Sequence, residues 1–192
     1  MNLEDNFKKH SKKYLFSNDE FLSKQRENIF NKILLNNFDK KNNESLKNID
    51  LNQLLNFKYN YVNASKKCST KASGNTYNIY LVNGKCEDFE DEKVQISNLT
   101  SEDSNFFFNN KFSSLNDFLI DMNSLFLNSG IKIEIKKNQK IHINIENFIS
   151  ENNLSIFQKN FISCKENSKV SILEKYNNKY LSIHNVYNLF DI

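Results

Sequence analysis

MNSLFLNSGIKIEIKKNQKIHINIENFISENNLSIFQKNFISCKENSKVSILEKY, residues 122–176, is the stretch whose reading decides the fold. Ile131, Ile133 and Ile135 alternate with Lys132, Glu134 and Lys136, and Ile141, Ile143 and Ile145 repeat the pattern. Successive side chains leave a strand on opposite faces, so strict alternation marks strands buried on one side. Strand candidates run on at 154–157, 160–163, 170–173, 180–183 and 186–190. Polar connectors such as Lys136-Lys137-Asn138 and Glu166-Asn167-Ser168 separate them. Short strands recurring without helices predict a sheet that winds on itself, either a sandwich or a β-solenoid.

Upstream of the isoleucines, Leu115, Phe118, Leu119, Met122, Leu125 and Phe126 recur at three- and four-residue spacing. That is the apolar stripe of a helix, read here as starting at Ser114. Gly130 is expected to end it in the left-handed C′ position. Thr76–Val82 reads as a strand, Asn83-Gly84 as a tight turn, and Val94 and Ile96 as part of another strand. Ser17 and Glu20 fit a capping box, and Phe16 and Phe21 a hydrophobic staple, for a helix running to about Leu35. Asp50 is suited to cap a short helix. Residues 36–45 and 63–75 are polar and read as loops. The chain thus divides into a helical N-terminal region, 1–75, and a strand pair, helix and strand-rich core, 76–192.

Composition narrows the function classes. The 192 residues include no Pro, no Trp and only 3 Gly, while Asn and Lys are abundant. This is the signature of A/T-rich coding, and it leaves Asn to fill turns that Gly would otherwise mark. The net charge of +3 does not claim a nucleic-acid surface, which needs clustered Lys and Arg, so no nucleic-acid partner is expected. Lys8, Lys9, Lys12 and Lys13 follow Glu4 and Asp5 and read as a solvated, frayed terminus. Cys68, Cys86 and Cys164 fit no ligand spacing and read as reduced structural thiols. No apolar run reaches membrane-spanning length and no secretory h-region is evident, so a cytoplasmic protein without a membrane partner is expected. The acidic run Glu87–Glu92 lacks the Gly turn of a metal loop and reads as a solvated loop.

Chemistry-bearing motifs are absent. There is no phosphate loop, dinucleotide fingerprint, HExxH or GxSxG. His10, His142 and His184 are isolated, and His142 falls on the polar side of an alternating strand. Cys164 and His184 are the weak candidates for a metal or nucleophile pair across strands, although nothing in the sequence places them together. No catalytic, cofactor-binding or metal-ligating residue is assigned, and the chain is read as non-enzymatic.

Taken in order, several segments resemble the SufB/SufD family of iron–sulfur cluster assembly proteins, SufD more than SufB. Met122-Asn123-Ser124-Leu125-Phe126 followed by Gly130 resembles that family's LN-x-A-F segment. Lys140-Ile141-His142-Ile143 resembles its kPIhi strand, with Lys140 where Pro usually lies. Phe161-Ile162, Glu166-Asn167-Ser168-Lys169-Val170 and Glu174-Lys175-Tyr176 resemble one of its rungs. Val82-Asn83-Gly84 with Val94, Ile96 and Leu99 resembles its strand–NG–strand segment. Residues 180–192, with Asn185, resemble a further rung, inside which the chain stops. Glu44-Ser45-Leu46-Lys47-Asn48 departs from the expected E-x-W-K-Y.

The resemblance implies an α+β fold in which a helical N-terminal region is followed by the first rungs of a right-handed parallel β-helix. It implies a scaffold that pairs with SufB-like and SufC-like (ATPase) subunits. No cofactor is expected on this chain alone, the iron–sulfur cluster being built on the assembled complex. The last rung is expected to be open and to favour self-association or a partner. A solenoid enzyme acting on polysaccharide would need charged residues gathered in a cleft and a secretion signal, and neither is evident. The remaining alternative is an unrelated α+β protein-interaction module without catalysis.

Overall fold

The computed structural model describes residues 3–10, 14, 17–35, 50–61, 69–100, 103, 117–177 and 179–192. The chain forms two compact units, one from Met1–Tyr59 with Thr100–Asn128, the other from Asn60–Leu99 with Ser129–Ile192.

The first unit carries helices α1 (Leu3–His10), α2 (Glu20–Leu35), α3 (Leu51–Asn56) and α4 (Phe118–Phe126). Of the terminus read as frayed, Lys8 and Lys9 lie in helix α1, and Lys12 and Lys13 lie outside the described residues. Leu3 and Asn6 on one face are buried, and Phe7 stacks on Phe30 of α2 at 4.7 Å between centroids. Asn6 is held at both ends of its amide, donating to the Phe57 carbonyl at 2.8 Å and accepting from the Tyr59 N–H at 3.1 Å. At the start of helix α2 the Asp19 carboxylate accepts from the Leu22 N–H at 3.0 Å. Phe21 is 47% exposed, and its staple partner Phe16 lies outside the described residues. Arg26 of α2 is 3% exposed and lies 5.4 Å from the centre of the Tyr14 ring. Burial pushes its guanidinium down to about 10. Asp50 caps α3 as expected, accepting from the N–H groups of Asn52 and Gln53. Asp117 caps α4 in the same way, and the expected start at Ser114 lies outside the described residues.

The second unit holds β1 (Lys71–Ser73), β2 (Thr76–Val82), β3 (Phe89–Glu90), β4 (Val94–Asn98), β5 (Ser129–Ile135), β6 (Lys140–Phe148), β7 (Ser155–Cys164), β8 (Lys169–Asn177) and β9 (Ile183–Asp191). The expected right-handed parallel β-helix is not what the structure shows. The strands form two mixed sheets, ordered β1-β2-β6-β8 and β3-β4-β5-β7-β9. Pairing is antiparallel for β1 with β2 and through β3-β4-β5, and parallel for the rest. The physical reason is that alternation specifies a buried face and not the route by which sheets close over it. Tyr77, Ile79, Ile143 and Ile145 from the first sheet and Val94, Ile96, Ile131, Ile133 and Ile162 from the second share one apolar interior.

Three local expectations also need correction. Gly130 does not end a helix but lies in β5. A Cβ there would run into the Lys159 backbone carbonyl and the Leu99 side chain, so close approach of β5 to β7 is what requires glycine. The segments 154–157 and 160–163 are one strand, β7, because Gln158 and Lys159 between them are buried within it. Likewise β9 is continuous from Ile183, and Tyr180 precedes it.

Asparagine does fill the turns. Asn83, Asn138, Asn153 and Asn167 have φ of 54°, 62°, 62° and 59°, the left-handed region that Asn tolerates better than other side-chain-bearing residues. The acidic run is structured as well. The Asp91 carboxylate accepts from the Tyr77 hydroxyl at 2.7 Å and from the N–H groups of Lys93 and Val94 at 2.8 Å. Burial alone would raise its pKa, but these hydrogen bonds outweigh burial and hold it below the usual value.

Candidate functional site

Strands β8 and β9 end their respective sheets, each pairing on one side only among the described residues. Continuing the alternation of their inner neighbours turns Glu174 and Tyr176 of β8 inward, in register with Ile145 and Asn147. It also turns His184, Val186 and Asn188 of β9 inward, in register with Ile156, Gln158 and Asn160. The interior that is isoleucine between β5 and β6 therefore becomes polar between β7, β8 and β9.

These side chains form one hydrogen-bonded chain. Gln158 donates to Asn160 at 2.8 Å, and Asn160 donates to Asn188 at 2.8 Å. Asn188 donates across the sheets to one Glu174 oxygen at 2.9 Å, while Asn147 donates to the other at 2.9 Å. A ring nitrogen of His184 lies 3.4 Å from the Gln158 amide oxygen. The His184 ring meets Tyr176 edge to face at 5.2 Å between centroids, a second link between the sheets. Gln158 and Asn160 are fully buried.

The electrostatics follow from this placement. Burial pushes the His184 imidazole down to about 4, so it is neutral at ordinary pH. Burial, with the Glu174 carboxylate beside it, holds the Tyr176 phenol above its usual range. An imidazole, a carboxylate and a phenol thus share one network, in which the imidazole and the carboxylate bond to the amides of Gln158, Asn147 and Asn188. Such a network cross-links and fixes register. It ties the two edge strands together across the interior.

The sequence-level candidates are not brought together. Cys164 ends β7 opposite Ile135, whereas His184 pairs with Ile156 at the other end of the same strand. Eight residues at roughly 3.3 Å each put them about 26 Å apart along the sheet. Burial raises the Cys164 thiol pKa. His142 is exposed and contacts the Ser171 hydroxyl. His10 ends α1, and Cys68 lies outside the described residues. Among the described residues, no three or more His, Cys, Asp or Glu side chains stand together so as to hold a metal ion. Among the same residues, no helix is long and apolar enough to cross a membrane.

The residues that sequence reasoning missed are Gln158, Asn160, Glu174 and Asn188. One signal was present: the alternation Val170, Ile172, Glu174, Tyr176 carries a carboxylate onto the apolar parity of β8. No family model matches the chain, and neither a curated protein nor a solved structure matches it. The SufB/SufD resemblance therefore stands on its quoted motifs alone.

Proposed function

We propose that this chain is a protein-interaction scaffold without catalysis of its own, acting in the cytoplasm. The observation that carries the reading is the pair of edges, β8 and β9, each nine residues long, unpaired on one side among the described residues, and joined across the interior by the Asn188–Glu174 bond. A free edge offers a row of unpaired backbone donors and acceptors to a strand from another chain. Leu173, Leu181 and Phe190, each between 51% and 61% exposed, add apolar contact area on or beside these strands. The ordered motif series favours one particular form of this function: a SufD-like component of the iron–sulfur cluster assembly complex. In that form SufB-like and SufC-like (ATPase) subunits are its partners, and the cluster belongs to the assembled complex.

Co-expression with SufB-like and SufC-like subunits, followed by affinity capture of this chain, tests the reading. A stable complex is expected. Val186→Pro is expected to weaken it. The Ile183 N–H bonds toward β7, so by ladder geometry the Val186 N–H points to the free edge, and proline removes that donor while sparing the bonds to β7. Failure to capture either subunit would end the iron–sulfur form of the proposal. A capture unaffected by Val186→Pro would remove the edge from it.

A further inference from the structure

The outer face of the four-stranded sheet is a second feature, independent of the edges. Register and alternation place on it Lys71 of β1, Asn78 and Tyr80 of β2, Lys140, His142, Asn144, Glu146 and Phe148 of β6, and Lys169 and Lys175 of β8. Lys71, Lys140, His142, Lys169 and Lys175 are exposed, and Tyr80 and Phe148 are half-buried. Four lysines against one glutamate give this face a charge of +3. The rest of the chain, with 26 less 4 basic and 23 less 1 acidic side chains, is neutral. The whole excess charge of the protein thus sits on one sheet face, a clustering that the linear sequence hides.

Two further observations point to the kind of anion that fits. Among the described residues none of the four lysines stands in an ion pair, so their charge is available to a ligand. Tyr80 and Phe148 lie stacked at 6.4 Å between centroids, and the Lys71 ammonium lies 5.8 Å from the centre of the Tyr80 ring. A flat basic sheet bearing aromatic rings matches an extended strand of phosphates carrying planar bases, because every base has a face that stacks on a ring. Lys169 and Lys175 are six residues apart on β8, about 20 Å, which spans several nucleotides. We propose that this face binds single-stranded nucleic acid, with phosphates along Lys140, Lys169 and Lys175 and bases against Tyr80 and Phe148.

The test uses the full chain and a fluorescein-labelled oligouridylate, with anisotropy read at several salt concentrations. Saturable binding that weakens with salt is expected. Each phosphate contact on a single strand contributes about 0.7 to the slope of log affinity against log salt. Replacing Lys140, Lys169 and Lys175 together by Gln should therefore lower the slope by about 2. Tyr80→Ser with Phe148→Ser should lower affinity about thirtyfold or more with the slope unchanged. Far-ultraviolet circular dichroism checks that both variants keep their strands. No saturable binding at low salt would overturn the proposal, as would a triple variant that binds like the parent. Equal competition by polyphosphate, with no effect of the ring substitutions, would also overturn it, leaving a surface that attracts any polyanion. Binding to anionic lipid vesicles without binding to the oligonucleotide would overturn it too. None of these outcomes depends on capture of SufB-like or SufC-like subunits.

Discussion

The middle of the two-sheet unit and its β7–β9 end bury side chains between the same two sheets but use opposite chemistry. Between β5 and β6 the inward positions are Ile131, Ile133, Ile135, Ile141, Ile143 and Ile145, all at most 1% exposed. Between β7, β8 and β9 they include Gln158, Asn160, Glu174, His184 and Asn188, joined by hydrogen bonds. The difference separates two ways of holding sheets together. Apolar burial is non-directional and tolerates small shifts of register. A chain of amides and a carboxylate is satisfied in one arrangement only, so it adds less net stability but specifies where each edge strand sits.

The largest expected effect lies on the isoleucine side. Ile143→Ala removes a side chain that is 0% exposed and should cost about 2–5 kcal/mol in a urea unfolding experiment. Loss of hydrogen-exchange protection should then be even across β2, β4, β5 and β6. A cost below about 1 kcal/mol would mean that this interior is not a close-packed layer.

The polar side should respond less and more locally. Glu174→Ala leaves the amide groups of Asn147 and Asn188 without the carboxylate that accepts from them. The expected cost is about 1–3 kcal/mol. Faster amide exchange should be confined to β8 and β9, since the isoleucine layers do not depend on this carboxylate. If Glu174→Ala and Ile143→Ala loosen the same amides to the same degree, the two regions are one cooperative block and the comparison fails.

This contrast also explains which parts of the fold are legible in the sequence. Residues 76–82, 131–135 and 141–145 were legible because one parity is apolar and the other polar, which is all that a half-buried strand requires. Asn83-Gly84 was legible because both residues tolerate positive φ. The continuity of β7 was not, because it is buried on both faces and carries Gln158-Lys159 at its centre, where a polar pair imitates a turn. Gly130 misled for a related reason: a glycine marks a helix end or a close backbone approach, and only the partner strand tells which. The sheet order lay beyond reach, since register pairs residues more than twenty positions apart and alternation is silent on which strands become neighbours. The polar chain, and with it the candidate site, became visible only once that order was known.

The smallest expected effect is also the most selective. His184 titrates at about 4 in the folded chain because burial disfavours its charged form, against about 6.5 when unfolded. The unfolded chain therefore binds more protons between those values, so the contribution of His184 to stability is complete above about 6.5 and is lost as pH falls toward 4. A shift of that size corresponds to about 3 kcal/mol. His184 is half-buried on an edge strand, where solvent screens part of the interaction, and about 1 kcal/mol is expected to remain. Carboxylates titrate near the lower end of the same window, so the quantity to measure is the stability difference between the parent and His184→Gln at each pH. The parent should lose ground to the variant steadily from pH 6.5 to 4, with the loss expressed as faster exchange in β9. The isoleucine layers hold no group that titrates in this window, and their protection should change only as far as global stability does. A difference that stays flat with pH would show that His184 is solvated, and that the polar interior does not extend to the end of the unit.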